Sequence, residues 1–188
     1  MRKQLRMIYD STCPPLDDIR VPEGFCIRPL REDEWEKYFK LRVDCGFDLW
    51  NENTIKDFYA HHAIPDGIIV VEDCSNGELV ASATAEYGEL EDSDVPATLG
   101  WVMTREEYGG RGLGRAVSAY ATKMLMDAGL KPVYLLTDDT RKPAVFLYLK
   151  MRWKPWLFQE DMPGRWQALC KEFNYPENYL DEWSVKTI

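Results

Sequence analysis

Four glycines fall within six positions, Gly109, Gly110, Gly112 and Gly114, and they are interleaved with Arg111 and Arg115. Glycine puts no side chain over the neighbouring backbone N–H groups, so these donors can face outward. A strand-like apolar run over 97–104 precedes the stretch, and helical periodicity follows it. The free N–H groups then share the field of a helix's positive end, a combination suited to holding a diphosphate. Two guanidiniums beside the amides add charge and fork-shaped donors.

Spacing separates three kinds of phosphate loop. The dinucleotide fingerprint G-x-G-x-x-G, started at Gly110 and Gly112, requires glycine where Arg115 stands. The frame G-x-x-x-x-G-K-[ST] accepts Gly109 and Gly114 but finds Arg115 for its lysine and Ala116 for its hydroxyl. Asp138 and Asp139 would be the metal-side aspartates of such a phosphohydrolase, yet too little chain follows the loop to build its sheet. The third kind is the pyrophosphate turn of the GCN5-related N-acetyltransferase superfamily, which Gly109-x-x-Gly112-x-Gly114 resembles, although the usual leading Gln or Arg is missing. Residues 141–153 resemble that family's second hallmark: Ala144, Val145, Leu147 and Tyr148 fall in register, while Arg152-Trp153 replaces Gly-Phe and Arg141 replaces a common Asn. The resemblance extends over roughly residues 24–158.

The resemblance implies direct acetyl transfer from acetyl-CoA, as co-substrate, to a primary amine. It assigns cofactor binding to Gly109, Gly110, Arg111, Gly112, Leu113, Gly114, Arg115 and Arg141, and pairs the backbone of Val102, Met103 and Thr104 with the pantetheine arm. A backbone N–H there would stabilise the developing oxyanion. Tyr148 is expected beside the CoA sulfur, donating to the leaving thiolate, although a core aromatic on the Ala144–Leu147–Tyr148–Met151 stripe would look the same. An acyl-CoA-binding sensor or interaction module on a degenerate fold is the non-enzymatic alternative.

Amine acetylation needs a base. A lysine-like amine is disfavoured as free base at neutral pH by about 4.6 kcal/mol, enough to demand a carboxylate, histidine or water chain. Many relatives keep a glutamate early in the fourth strand, where this chain has Thr98. Glu86 is the best remaining carboxylate; Glu89, Glu91, Asp94, His61 and His62 stay open as alternatives.

Composition bounds the rest. The chain has 188 residues, 45% apolar and 13% aromatic, long enough for one folded domain and too apolar for disorder. It carries no apolar run of membrane-spanning length, and Met1-Arg2-Lys3-Gln4 leads into no signal-peptide core. Five scattered cysteines without a C-x-x-C argue against a metal site or a secreted disulfide framework, and suggest the cytoplasm. A net charge of −9 disfavours nucleic acid as a partner. Basic side chains still gather at Arg111, Arg115, Arg141, Lys142, Lys150, Arg152 and Lys154, as an anionic cofactor would require.

These parts need elements to position them. Residues 1–23 read as a turn-rich N-terminal arm with a short apolar piece (Leu5, Met7, Ile8), 24–158 as the acetyltransferase domain, and 159–188 as its helical, aromatic extension. A strand at Gly24–Arg28, two helices, a hairpin around Asn76-Gly77 and a central strand at 97–104 lead to the turn. Pro65-Asp66-Gly67 is expected to end the second helix, and Asp139 or Thr140 to cap the helix of Tyr148. The order β-α-α-β-β-β-α-β-α-β gives an α/β (α+β) class with a mixed sheet of the acetyltransferase kind. The acidic stretch 89–94 suggests a small cationic acceptor, and the aromatic tail (Tyr175, Tyr179, Trp183) would wall the acceptor pocket or make a homodimer contact.

Overall fold

The computed structural model describes residues 3–16 and 19–186; Met1, Arg2, Asp17, Asp18, Thr187 and Ile188 lie outside the described residues. In chain order the elements are β1 (Leu5–Tyr9), β2 (Phe25–Pro29), α1 (Trp35–Asp44), α2 (Glu52–His62), β3 (Ala63–Asp73) and β4 (Glu78–Tyr87). There follow β5 (Ala97–Thr104), α3 (Leu113–Asp127), β6 (Val133–Thr137), α4 (Lys142–Lys150), β7 (Lys154–Trp156), α5 (Met162–Glu172) and α6 (Tyr179–Glu182). The strands form one sheet ordered β2-β3-β4-β5-β6-β1-β7, with β5 and β6 parallel and the other neighbours antiparallel. From β2 to β7 this is the element order expected from the sequence.

Helices cover both faces. One core gathers Val117, Ala121 and Leu125 of α3, Val145, Tyr148 and Leu149 of α4 and Trp166 of α5 against the sheet. The other packs Tyr38, Leu41, Ile55 and Tyr59 of α1 and α2 on Val70, Leu79 and Met103. Nearly all of β4 is buried, so its sequence shows a continuous run of small and apolar residues rather than alternation. The side chain of Asn51 caps α2, accepting the Thr54 N–H at 3.0 Å.

Three local expectations are corrected. The apolar piece of the N-terminal arm is a core strand: β1 inserts between β6 and β7 with all five residues buried, including Arg6, whose guanidinium lies 3.9 Å over the Phe158 ring and 2.8 Å from Asp92. Pro65-Asp66-Gly67 does not end α2 but lies within β3, where a bulge between Ala63 and Ile68 absorbs it. Gly67 is required there, because a Cβ would stand 2.5 Å from the Ala85 carbonyl oxygen. Neither Asp139 nor Thr140 caps α4, whose N-terminal flank is Arg141. The Asp139 carboxylate is instead taken by Arg165 of α5, whose Nε donates at 3.1 Å.

The site is shaped by β5. It pairs with β6 only at Ala97–Val133 and Thr98–Tyr134, and beyond that point the two strands part. On its other edge, three steps of β5 (Met103 to Gly100) match two of β4 (Ser82 to Thr84). The extra residue makes a bulge in which Trp101 takes a left-handed φ of 46°.

Candidate active site

The glycine turn joins β5 to α3 through a single 3-10 turn at Glu106–Tyr108. Gly110 and Gly112 hold φ of 74° and 84°, which explains glycine at both. Gly112 is the flanking residue of α3, so the first-turn N–H groups have no acceptor within the helix, and no acidic side chain occupies that turn. Gly114 is there for closeness: a Cβ would lie 3.3 Å from Thr104 Oγ1 and near Leu147. The turn therefore keeps a cradle that side chains would fill, as a pyrophosphate group requires.

Beside it runs a groove of about 480 Å³ between β5, α3 and α4, lined by Val102, Met103, Thr104, Gly109, Gly110, Gly112, Leu113, Gly114, Arg115, Arg141 and Lys150, among others. The basic residues gathered in the sequence divide here. Arg115, Arg141 and Lys150 line the groove, whereas Lys142 pairs with Glu172 at 2.6 Å, Lys154 with Asp10 at 3.0 Å, and Arg152 sits 4.2 Å over the Trp183 ring. Arg111 is exposed, 5.0 Å over the Tyr108 ring. The Val102 carbonyl is not open for pairing, because Arg141 Nη2 donates to it at 3.2 Å.

A second cavity, of about 290 Å³, opens where β5 and β6 part and meets the groove at Val102 and Arg141. Glu86, Glu89, Thr98, Gly100, Trp101, Tyr134, His62 and Tyr148 line it. Glu86, on β4 opposite Thr98, is 5% exposed and accepts a hydrogen bond from Thr84 Oγ1. Burial pushes its carboxyl up to about 7; the Thr84 hydroxyl and the Arg42 charge oppose that shift, and Glu89 adds to it. The carboxyl is therefore poised to exchange a proton near neutrality.

Gly100 makes room for it. A Cβ there would stand 2.5 Å from Glu86 Oε1. The sequence reading passed over this residue, although a glycine inside a strand pattern signals a close approach. It also passed over the apolar wall of the cavity. Phe47, from the α1–α2 connection, and Phe58 meet Trp101 at ring separations of 5.6 and 6.0 Å, and His62 stacks on Phe58 at 4.2 Å. Behind the wall, the buried Arg42 lies 4.1 Å over Trp101 and donates to the Tyr59 hydroxyl at 2.9 Å.

Tyr148 is buried and is among the residues lining this cavity, and its hydroxyl has no hydrogen-bond partner among the described residues. Burial raises the phenol to about 12, with Arg141 pulling weakly the other way. A phenol that weak gives up its proton uphill to an alkyl thiolate of conjugate pKa ~8.5, by roughly 4.8 kcal/mol. It suits donating a hydrogen bond better than full proton transfer.

The remaining candidates separate. His62 Nδ1 lies 2.7 Å from Glu89 Oε1 at the cavity mouth, while His61 turns back to the Asp57 carbonyl at 2.7 Å. Glu91 and Asp94 do not line the cavity. The aromatic tail is not a wall of either cavity: Tyr179 and Leu180 are buried in the core, and Val185 bridges to Trp156 at the β7 end of the sheet. Asp138 and Asp139 line neither cavity; Gln4 donates to the first at 3.2 Å and Arg165 to the second at 3.1 Å.

A mixed sheet opened at one parallel pair, with a glycine turn at the head of the following helix, defines the class of the GCN5-related N-acetyltransferases. The profile of the acetyltransferase (GNAT) family matches residues 27–152, and the chain belongs to that family. Among solved structures it is similar to a GCN5-related N-acetyltransferase from Sphaerobacter thermophilus (TM-score 0.66, 15% identity, 82% of this chain and 49% of that one). A tandem GNAT protein from the clavulanic acid biosynthesis pathway gives a TM-score of 0.64 at 12% identity, with 82% and 51% covered. The ribosomal-protein-S18-alanine N-acetyltransferase of Escherichia coli gives 0.54 at 20% identity, with 68% and 76% covered. The chain thus spans about half the length of the first two. No curated protein matches it by sequence. No helix among the described residues is long and apolar enough to cross a membrane.

Proposed function

We propose that the chain transfers the acetyl group of acetyl-CoA to a small primary amine seated in the 290 Å³ cavity. The carrying observation is Glu86: a buried carboxyl held at about 7, on the floor of a cavity that meets the glycine-turn groove. Acetyl-CoA supplies an activated acyl group on a thiol leaving group. Backbone N–H groups of the Gly109–Gly114 turn, with Arg115 and Lys150, hold its phosphates, and the edge of β5 at 102–104 guides its arm. Arg141 would leave the Val102 carbonyl as the arm arrives. Glu86 removes the ammonium proton, directly or through a water on Thr98, and the Tyr148 hydroxyl donates to the departing sulfur.

The acceptor is small because the cavity lies at the lower end of the about 300–1,000 Å³ usual for small-molecule sites. It is cationic because Glu86 and Glu89 face an aromatic wall, and rings together with carboxylates favour an ammonium group. Thiol release from acetyl-CoA over an amine panel tests the reading. Turnover of small amines, strongly slowed near neutral pH in Glu86→Gln with acetyl-CoA affinity kept, is expected. Acetyl-CoA binding without turnover of any amine would favour a sensor instead, and preferential turnover of a long basic peptide would exclude the small acceptor.

A further inference from the structure

Five cysteines are spread through the chain, and three of them are withdrawn from reaction. Burial pushes the thiols of Cys13, Cys45 and Cys170 each up to about 11. Cys26 and Cys74 differ in exposure and contact: both lie at the surface with their sulfurs 2.8 Å apart, and it is the Cys26 thiol rather than burial that chiefly raises the Cys74 thiol. Backbone register brings them together. Cys26 stands opposite Glu72 in the β2–β3 ladder, and Cys74 continues it, its N–H donating to the Gly24 carbonyl at 2.9 Å. The two are diagonal neighbours on one face of the edge pair.

Their sequence neighbours reach the glycine turn. Phe25 packs edge-on against Tyr108 at 6.0 Å, and Asp73 accepts the Tyr108 hydroxyl at 3.0 Å. Tyr108 immediately precedes Gly109, and its ring carries Arg111 at 5.0 Å. Each cysteine is thus one residue from a group that holds Tyr108, and Tyr108 holds the start of the turn.

We propose that Cys26 and Cys74 are a dithiol modification site that peroxides oxidise to a disulfide, and that the bridge stiffens the Gly109–Gly114 turn through Phe25, Asp73 and Tyr108. One thiolate attacks a peroxide oxygen, forming a sulfenic acid and releasing hydroxide. The second thiol then attacks the sulfenic sulfur, the S–S bond forms, and water leaves. In total, two thiols and one hydrogen peroxide give one disulfide and two waters. Because the sulfurs already touch, closure needs side-chain rotation rather than displacement of the strands. The consequence is ordering of the turn before its ligand arrives, which favours binding. The coupling rests on the acetyl-CoA reading above; the bond itself does not.

The test treats the full-length reduced protein with hydrogen peroxide and follows intact mass, thiol count after denaturation and acetyl-CoA affinity by calorimetry. Two of the five thiols should be lost with a mass decrease of about 2 Da, and neither change should occur in Cys26→Ser or Cys74→Ser. Acetyl-CoA should bind about threefold more tightly to the oxidised form, and dithiothreitol should reverse this. Oxygen addition at separate cysteines, or a bond between molecules, would overturn the dithiol site. A disulfide that leaves affinity unchanged would overturn the coupling. If neither redox state binds acetyl-CoA, the reading of the turn fails and the coupling with it, while the mass still decides the bond.

Discussion

At the scale of single residues, the proposed role of Glu86 sets activity against stability. A carboxyl near 7 in the folded chain and near 4.5 when unfolded means the folded state binds the extra proton between those values. The associated stability is full below about pH 4.5 and is lost as pH rises through about 7, a change of order 3 kcal/mol. Glu86→Gln should therefore gain about 2–3 kcal/mol over wild type between pH 5 and pH 8, while losing activity; urea unfolding of both proteins at the two pH values measures it. Tyr148→Phe keeps the ring against Trp153, 6.1 Å away, and removes only the hydroxyl. A hydrogen bond to a charged sulfur is worth about 1.5–3 kcal/mol, so kcat should fall about 10–100-fold with little change in acetyl-CoA affinity. Glu86 and Tyr148 could be named from sequence because position along an element and neighbouring letters point to them. Gly100 carries a local signal, a glycine within a strand, but what approaches it, and the part played by Trp101, depend on the register of β4 against β5.

At the scale of elements, the glycine turn is where local sequence speaks most directly, since positive φ and helix N-terminal donors are local properties. Gly112→Glu places a side chain at φ 84° and a negative charge at the head of α3. It should weaken acetyl-CoA binding at least about tenfold, read by calorimetry on protein with unchanged far-UV dichroism. An unchanged affinity would remove the turn from the account. The central strand was legible over 97–104 because turn residues bound it on both sides. β1 was not: it is buried on both faces between β6 and β7, so it shows no alternation, and its partners lie more than a hundred residues away. Met7→Ala, at a fully buried position of that strand, should cost about 2–5 kcal/mol in urea unfolding. An arm lying outside the fold would lose almost nothing.

At the scale of the whole molecule, a chain of net charge −9 concentrates cations at the glycine-turn groove, as the proposed anionic co-substrate requires. Composition made that visible but could not say which basic residues are free for it; long-range pairings with Glu172, Asp10 and Trp183 withdraw three of them. The acidic connection between β4 and β5 divides likewise. Asp92 anchors Arg6 of β1, Glu89 lines the acceptor cavity, and Glu91 lines neither cavity. Glu89→Gln should raise KM for cationic amines about two- to fivefold, the modest effect of a half-exposed charge, and Glu91→Gln should leave it unchanged. Equal effects from both would indicate a diffuse field rather than a built cavity.

The central claim is that Glu86 removes the proton of an amine that binds as its cation. The pH dependence of kcat/KM for a small amine, followed by thiol release at saturating acetyl-CoA, tests it most directly. Wild type should rise tenfold per pH unit to a break near 7, where the carboxyl ionises, and then stay level toward the amine's own pKa at ~10.4. Glu86→Gln should be slower throughout and climb without a break, because only the scarce free amine would serve it. A wild-type profile that climbs through pH 7 without a break, parallel to that of the variant, would contradict the account.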